Sequence, residues 1–264
     1  MKFQFFAATA IAVAGFAAHA QDGESLFGVD SASVTYGPYI RAELGAASSN
    51  AGSGLWHPPG ASDPTIFFSP DVDNGAVGAL AFGFDWQNGY RGEFAITGFG
   101  DVDAPGTCSG ASDASSCSIH ADISSASVSS TAALFNVYYS PREASGNSSR
   151  VQPFVTAGLG FSRNRMSDWT RTNASATQVD RTFEGASNTD LAWSIGAGVA
   201  MELDRDKDWP VILEATYRYF DLGTAVGGST PLAGSGSSEP LAPYQFKNRN
   251  HVLSIGIRIP LKRY

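Results

Sequence analysis

Eight short stretches of this chain alternate apolar and polar residues with a period of two, and sustained helical periodicity is absent. That period puts successive side chains on opposite faces of a strand. The stretches cover about 36–46, 77–86, 90–99, 128–139, 151–161, 191–203, 211–220 and 251–261, separated by segments rich in Gly, Ser, Asn, Asp and Pro. The last is the clearest. Leu253, Ile255, Ile257, Ile259 and Leu261 form an aliphatic comb, while Val252, Ser254, Gly256 and Arg258 stand on the other face. In a water-soluble barrel the comb points inward; in a membrane barrel it meets lipid and Arg258 lies inside.

The polar face continues through the other stretches. It carries Arg41 and Glu43, Asp85, Arg91 and Glu93, Asn136 and Tyr138, Gln152 and Thr156, Ser194, Gly196, Gly198 and Glu202, then Glu214, Thr216 and Arg218. The opposite face carries Phe135, Val137, Val155, Leu159, Phe161, Trp193, Ile195, Leu213, Tyr217 and Tyr219. Small residues mixed with charges of both signs suit the interior of a narrow eight-strand barrel. Trp86, Tyr90, Tyr139 and Trp209 stand at or beside the short connections, where an aromatic girdle meets the interface. The expected fold is therefore all-β: an eight-stranded antiparallel up-and-down transmembrane barrel. Its connections alternate long and short, which predicts four long extracellular loops at 47–76, 100–127, 162–190 and 221–250, with periplasmic turns near 87–89, 140–150 and 204–210. Across the QNG turn Trp86 is expected opposite Tyr90, Asp85 opposite Arg91 and Gly83 opposite Glu93.

Arg41, Arg91, Arg218 and Arg258 against Glu43, Asp85, Glu93, Glu202 and Glu214 predict an Arg–carboxylate network filling the lumen, with Arg91 paired to Asp85 across the hairpin. Eight strands enclose room for little more than side chains, so a polar core is expected rather than an ion path. Paired carboxylates such as Glu43 and Glu93 on a face that also carries Arg read as structural rather than acid/base groups. His251 and Ser254 fall on opposite faces, and no serine-hydrolase motif, cofactor site or metal cluster is indicated. The DVDNG stretch at 71–75 lacks EF-hand spacing and reads as a solvated turn. Arg163, Arg165, Arg171 and Arg181 are expected in a solvated loop, where Arg could meet lipopolysaccharide phosphate. An acidic chain with formal charge −8 and no basic run excludes a nucleic-acid partner.

Lys2, the apolar FFAATAIAVAGFAA and the AHA at 18–20 predict a cleaved signal over residues 1–20. A periplasmic segment 21–35 and a barrel over 36–264 follow. Export through an oxidising space makes a loop disulfide between Cys108 and Cys117, in CSGASDASSC, the expected state of the two cysteines.

The C-terminal Ser254, Gly256, Ile259, Leu261 and Tyr264 resemble the pattern by which outer-membrane barrel strands are recognised for assembly. With GYRGEF, FNVYYS, IGAGVAMEL and YRYFDLG, the chain resembles the small eight-strand outer-membrane barrels of the OmpA transmembrane-domain and opacity-protein type. The resemblance implies a monomer in the outer membrane of a Gram-negative bacterium, with outer-membrane lipid, lipopolysaccharide and the barrel assembly machinery as partners. Envelope structure and surface-loop display would be its role. A narrow pore is the alternative, ahead of a lipid A-modifying barrel enzyme or a lipocalin-like binder, which would need an apolar cavity.

Overall fold

The structure is a computed structural model that describes residues 37–119, 123–147, 149–172, 181–203, 211–233 and 238–261. The expected signal 1–20, the segment 21–35, Trp209 and Tyr264 lie outside those residues. The strands are β1 (Pro38–Ser49), β2 (Gly54–His57), β3 (Ile66–Pro70), β4 (Gly75–Asp85), β5 (Tyr90–Asp103), β6 (Gly106–Ala111), β7 (Ile123–Ser125), β8 (Ser127–Tyr139), β9 (Val151–Met166), β10 (Trp169–Thr172), β11 (Arg181–Phe183), β12 (Ala186–Glu202), β13 (Ile212–Val226) and β14 (Ala242–Pro260). One helical turn, α1 (Pro141–Ala144), lies between β8 and β9.

Eight strands form the barrel. They pair antiparallel in the order β1, β4, β5, β8, β9, β12, β13, β14, and β14 pairs back onto β1, with Arg41 opposite Arg258 and Glu43 opposite Gly256. Closure leaves this sheet without an exposed edge. In the β4–β5 hairpin Asp85 pairs with Arg91 and Gly83 with Glu93 in the expected register, and the Trp86 amide donates to the Tyr90 carbonyl at 3.0 Å. Gly89 takes φ +86°, and a side chain there would strike Ala144 of α1, so glycine alone fits where the two turns meet.

The comb faces outward. Leu44 is 76% exposed, Leu80 69%, Phe161 63% and Ile255 63%, whereas Arg41, Glu93, Glu214 and Arg218 are buried. So large an exposed apolar belt around a buried charged interior is stable in lipid and not in water. Tyr90 packs on Tyr139 and Phe84 on Trp86 beside the short turns. Trp193, Tyr217, Tyr219 and His251 form a second aromatic group toward the opposite end.

The long connections depart from expectation. Instead of solvated loops, they carry β2, β3, β6, β7, β10 and β11, which continue the sheet outward from the upper end of β14. Barrel strands also run far past the membrane: β14 has 19 residues, where about 9–11 cross a bilayer. Bulges between Phe99 and Val102 and between Asp221 and Thr224 sit where strands leave the belt, and such bulges bend and twist a strand. The second ring then closes. Phe183 bridges Pro231, the Glu184 amide donates to the Thr230 carbonyl at 2.9 Å, and the Gly227 amide donates to the Tyr244 carbonyl at 2.9 Å.

This crown has its own core of Trp56, Ile66, Phe68, Trp169, Phe183, Tyr244 and Phe246, joined by Val128 and Met166 from the barrel strands. Trp169 stacks on Phe183 at 4.2 Å and its indole N–H donates to the Gly228 carbonyl at 2.8 Å. Arg171, expected in a solvated loop, is buried with its guanidinium 4.3 Å from the Trp56 ring. Cys108 of β6 and Cys117 are joined, with 5.8 Å between their Cα atoms.

Candidate functional site

Two features could carry function: the lumen and the outer surface of the crown. The inward column of β8 samples the lumen from the periplasmic end upward, as Tyr138, Asn136, Leu134, Ala132, Ser130 and Val128. Charge, apolar, amide and crown-core layers follow one another along it.

The charge layer is a continuous network. Arg258 reaches Asp85 at 3.1 Å and Glu214 at 2.9 Å, and Glu214 also accepts from Arg91 at 2.7 Å. Arg41 binds both oxygens of Glu93, at 2.7 and 3.1 Å, and pairs with Glu43, which Arg218 also engages. Glu93 further accepts from Tyr138 at 2.6 Å, Tyr39 at 3.1 Å and Asn136 at 3.2 Å. The Arg91 guanidinium lies 4.2 Å from the Tyr138 ring centre and 4.8 Å from that of Phe154, so aromatic faces as well as a carboxylate hold it.

One expectation is corrected here. Arg91 does not pair with Asp85, its cross-strand neighbour; it reaches across the lumen to Glu214, and Asp85 takes Arg258. Neighbouring positions fix backbone register, but long side chains in a narrow lumen meet groups from the far wall. Glu202 has the inward parity and is half-buried at the periplasmic end of β12, opposite Ile212, which is itself opposite Arg258. The ion pairs named above join Arg41, Arg91, Arg218 and Arg258 to Glu43, Asp85, Glu93 and Glu214, four charges of each sign.

Above them Val77, Ala132, Leu134, Phe220, Leu222 and Val252 form an apolar layer. An uncharged layer follows, in which Asn248 donates to Ser130 at 2.9 Å and Asn164 at 3.0 Å, while Asn164 donates to the Leu222 carbonyl at 2.7 Å. The crown core closes the top. Sequence reasoning placed the charged layer but missed Asn164 and Asn248, which lie in stretches it treated as loops. The signal was there: Tyr244, Phe246, Asn248 and Asn250 continue the inward alternation of β14.

Of the C-terminal pattern, Ser254 and Gly256 face the lumen, and a Cβ on Gly256 would sit 3.1 Å from the Ala42 carbonyl and 3.6 Å from Glu43. Ile259 and Leu261 are on the outward parity, and the Leu261 amide donates to the Pro38 carbonyl at 2.8 Å. Ser254 is buried against the Thr216 carbonyl, whereas His251 bonds Tyr217 at 2.6 Å on the outer face.

A closed eight-stranded antiparallel sheet, apolar outside and ion-paired inside, defines an outer-membrane β-barrel. No family model matches the chain, and no curated protein matches it in sequence. Among solved structures it is similar to Neisserial surface protein A, with 15% identity over 87% of this chain and 100% of that one and a TM-score of 0.44. The outer membrane protein OprG from Pseudomonas aeruginosa gives 10% identity over 84% and 96%, with a TM-score of 0.41. The outer membrane protease OmpT from Escherichia coli gives 8% over 88% and 99%, with a TM-score of 0.46. The assignment of class rests on the closed sheet and belt of this chain.

Proposed function

We propose that this protein is a monomeric, non-conducting and non-enzymatic barrel of the Gram-negative outer membrane that holds a rigid, folded crown at the cell surface for contact with extracellular partners. The stacking of a charge-balanced ion network, an apolar layer, an amide layer and the aromatic crown core within one lumen carries this reading. An ion crossing the barrel would have to shed water and displace Phe220 and Leu222 as well as break buried pairs. The placement of His251 and Ser254 on opposite faces supports a role without hydrolase chemistry. The C-terminal strand, with Ser254, Gly256, Ile259, Leu261 and Tyr264, would serve as the element read by the assembly machinery. A crown ordered by its own core suits display, because contact residues on it lose little freedom on binding.

Planar-bilayer recording of the purified barrel tests the proposal. No sustained conductance is expected from the unmodified protein; reproducible single-channel currents would replace the scaffold with the narrow pore.

A further inference from the structure

On the outer face of β9 the apolar column Val155, Ala157, Leu159, Phe161 is followed by Arg163 and Arg165. Both arginines are strand residues, not loop residues as the sequence suggests. The outward step is about 7 Å along a strand, so Arg163 stands at the upper edge of the lipid-facing belt. Among the described residues neither guanidinium has a hydrogen-bond or ion-pair partner. Hydroxyls flank them in register, Thr131 and Ser129 on β8 and Thr189 and Ser187 on β12.

The two arginines, with Ser129, Thr131 and Ser187, line a recess of about 1180 Å³ between the belt and an overhang of the crown that includes Asp168, Glu184 and Leu232. Below lies an apolar groove of about 1070 Å³ on the belt, lined by Leu44, Leu80, Ile96 and Leu253. Gly98 lines both, and a Cβ there would meet nothing nearer than the Gly78 carbonyl at 3.9 Å. The two hollows therefore meet at a position with no side chain.

We propose that recess and groove together bind one phosphate-bearing lipid of the outer leaflet, its phosphate between Arg163 and Arg165 and an acyl chain along the groove past Gly98. This rests on the reading of the chain as a barrel in an outer membrane. Arginine matches phosphate geometry with paired N–H donors, and the hydroxyls complete the oxygen contacts. The roof carboxylates argue for a single phosphate group. Asp168 already accepts the Gly185 amide at 2.7 Å, and Glu184 beside it would repel a second anion.

The test is native mass spectrometry of the detergent-purified full chain with lipid A, with dephosphorylated lipid A and with inorganic phosphate. Lipid A should be retained about tenfold better than its dephosphorylated form, the worth of one or two charge-assisted hydrogen bonds. Arg163→Gln/Arg165→Gln should abolish that preference, and Gly98→Leu should weaken lipid A retention while leaving inorganic phosphate binding unchanged. Lys247→Ala, which removes an exposed cation on β14, should change nothing. Heat-modifiable gel mobility of each variant reports the folded barrel, and single arginine substitutions serve if the double variant loses it. Equal retention of both lipids, or preference surviving in the arginine variants, overturns the proposal. Sensitivity to arginine but not to Gly98→Leu makes the site one for free phosphate and overturns the lipid. Absence of heat-modifiable mobility in the unmodified protein would instead remove the barrel reading itself.

Discussion

At the scale of residues, the lumen shows how buried charge is tolerated. Each carboxylate of the charge layer meets at least one guanidinium, and Glu214 meets those of Arg91 and Arg258. Glu214→Gln should cost about 3–5 kcal/mol because it leaves buried positive charge uncompensated. Adding Arg91→Met should recover part of that loss, so urea midpoints in vesicles should be non-additive by about 1 kcal/mol or more; additive losses would dissolve the network. Glu143 in α1 behaves differently. Burial and the nearby Asp85 push its carboxyl up to about 7, against the opposing Arg258 and Arg91. Its unfolded value is about 4.3, so the folded state binds more protons between these values. Stability should fall as pH rises through that window. The thermal midpoint in detergent should decline from pH 4.5 to 7.5, and Glu143→Gln should flatten the decline; parallel curves for the two proteins would dismiss Glu143 as the source.

At the scale of elements, the crown stands on short strands that are individually too weak to persist. GLWH of β2 and WTRT of β10 have four residues each, and their aromatic side chains hold them by meeting in one core. Trp169→Ala removes the ring stacked on Phe183 and the bond to Gly228, a loss of about 3–5 kcal/mol by comparison with other buried aromatics. Limited proteolysis should then cut within the crown while the barrel keeps its heat-modifiable mobility; unchanged resistance would mean the core is dispensable. The Cys108–Cys117 bridge closes a small loop beside β6. Protein isolated without reductant should show a mass deficit of about 2 Da and no thiol open to alkylation.

At the scale of the whole molecule, β14 serves three environments in one line. Its outward side runs from Ile259, Ile257, Ile255 and Leu253 through His251 to Arg249 and Lys247, as lipid gives way to water. Ile257→Arg should cost about 2–4 kcal/mol in bilayers, whereas Lys247→Ile, above the belt, should stay within about 0.5 kcal/mol. Similar folding yields and midpoints for the two would reverse the assigned face. Ser254→Arg is no neutral control for this comparison, because a Cβ on Gly45 would already lie 2.7 Å from the Ser254 Cβ; the lumen has no room there.

The period of two in the sequence determined the strands, their hairpin register and which face meets lipid, because alternation is local and a one-residue slip would expose Arg258 and bury Ile257. It also determined which charges face the lumen, since parity follows from position along a strand. Tertiary structure alone decided who pairs with whom. Arg91 met Glu214 because a narrow barrel brings opposite walls within reach of an arginine, a distance invisible to neighbours in sequence. The same holds for the crown. IFFSP of β3 and RTF of β11 are too short to declare themselves as strands, and they become strands because a closed barrel gathers four long connections at one end, where their aromatic residues bury one another.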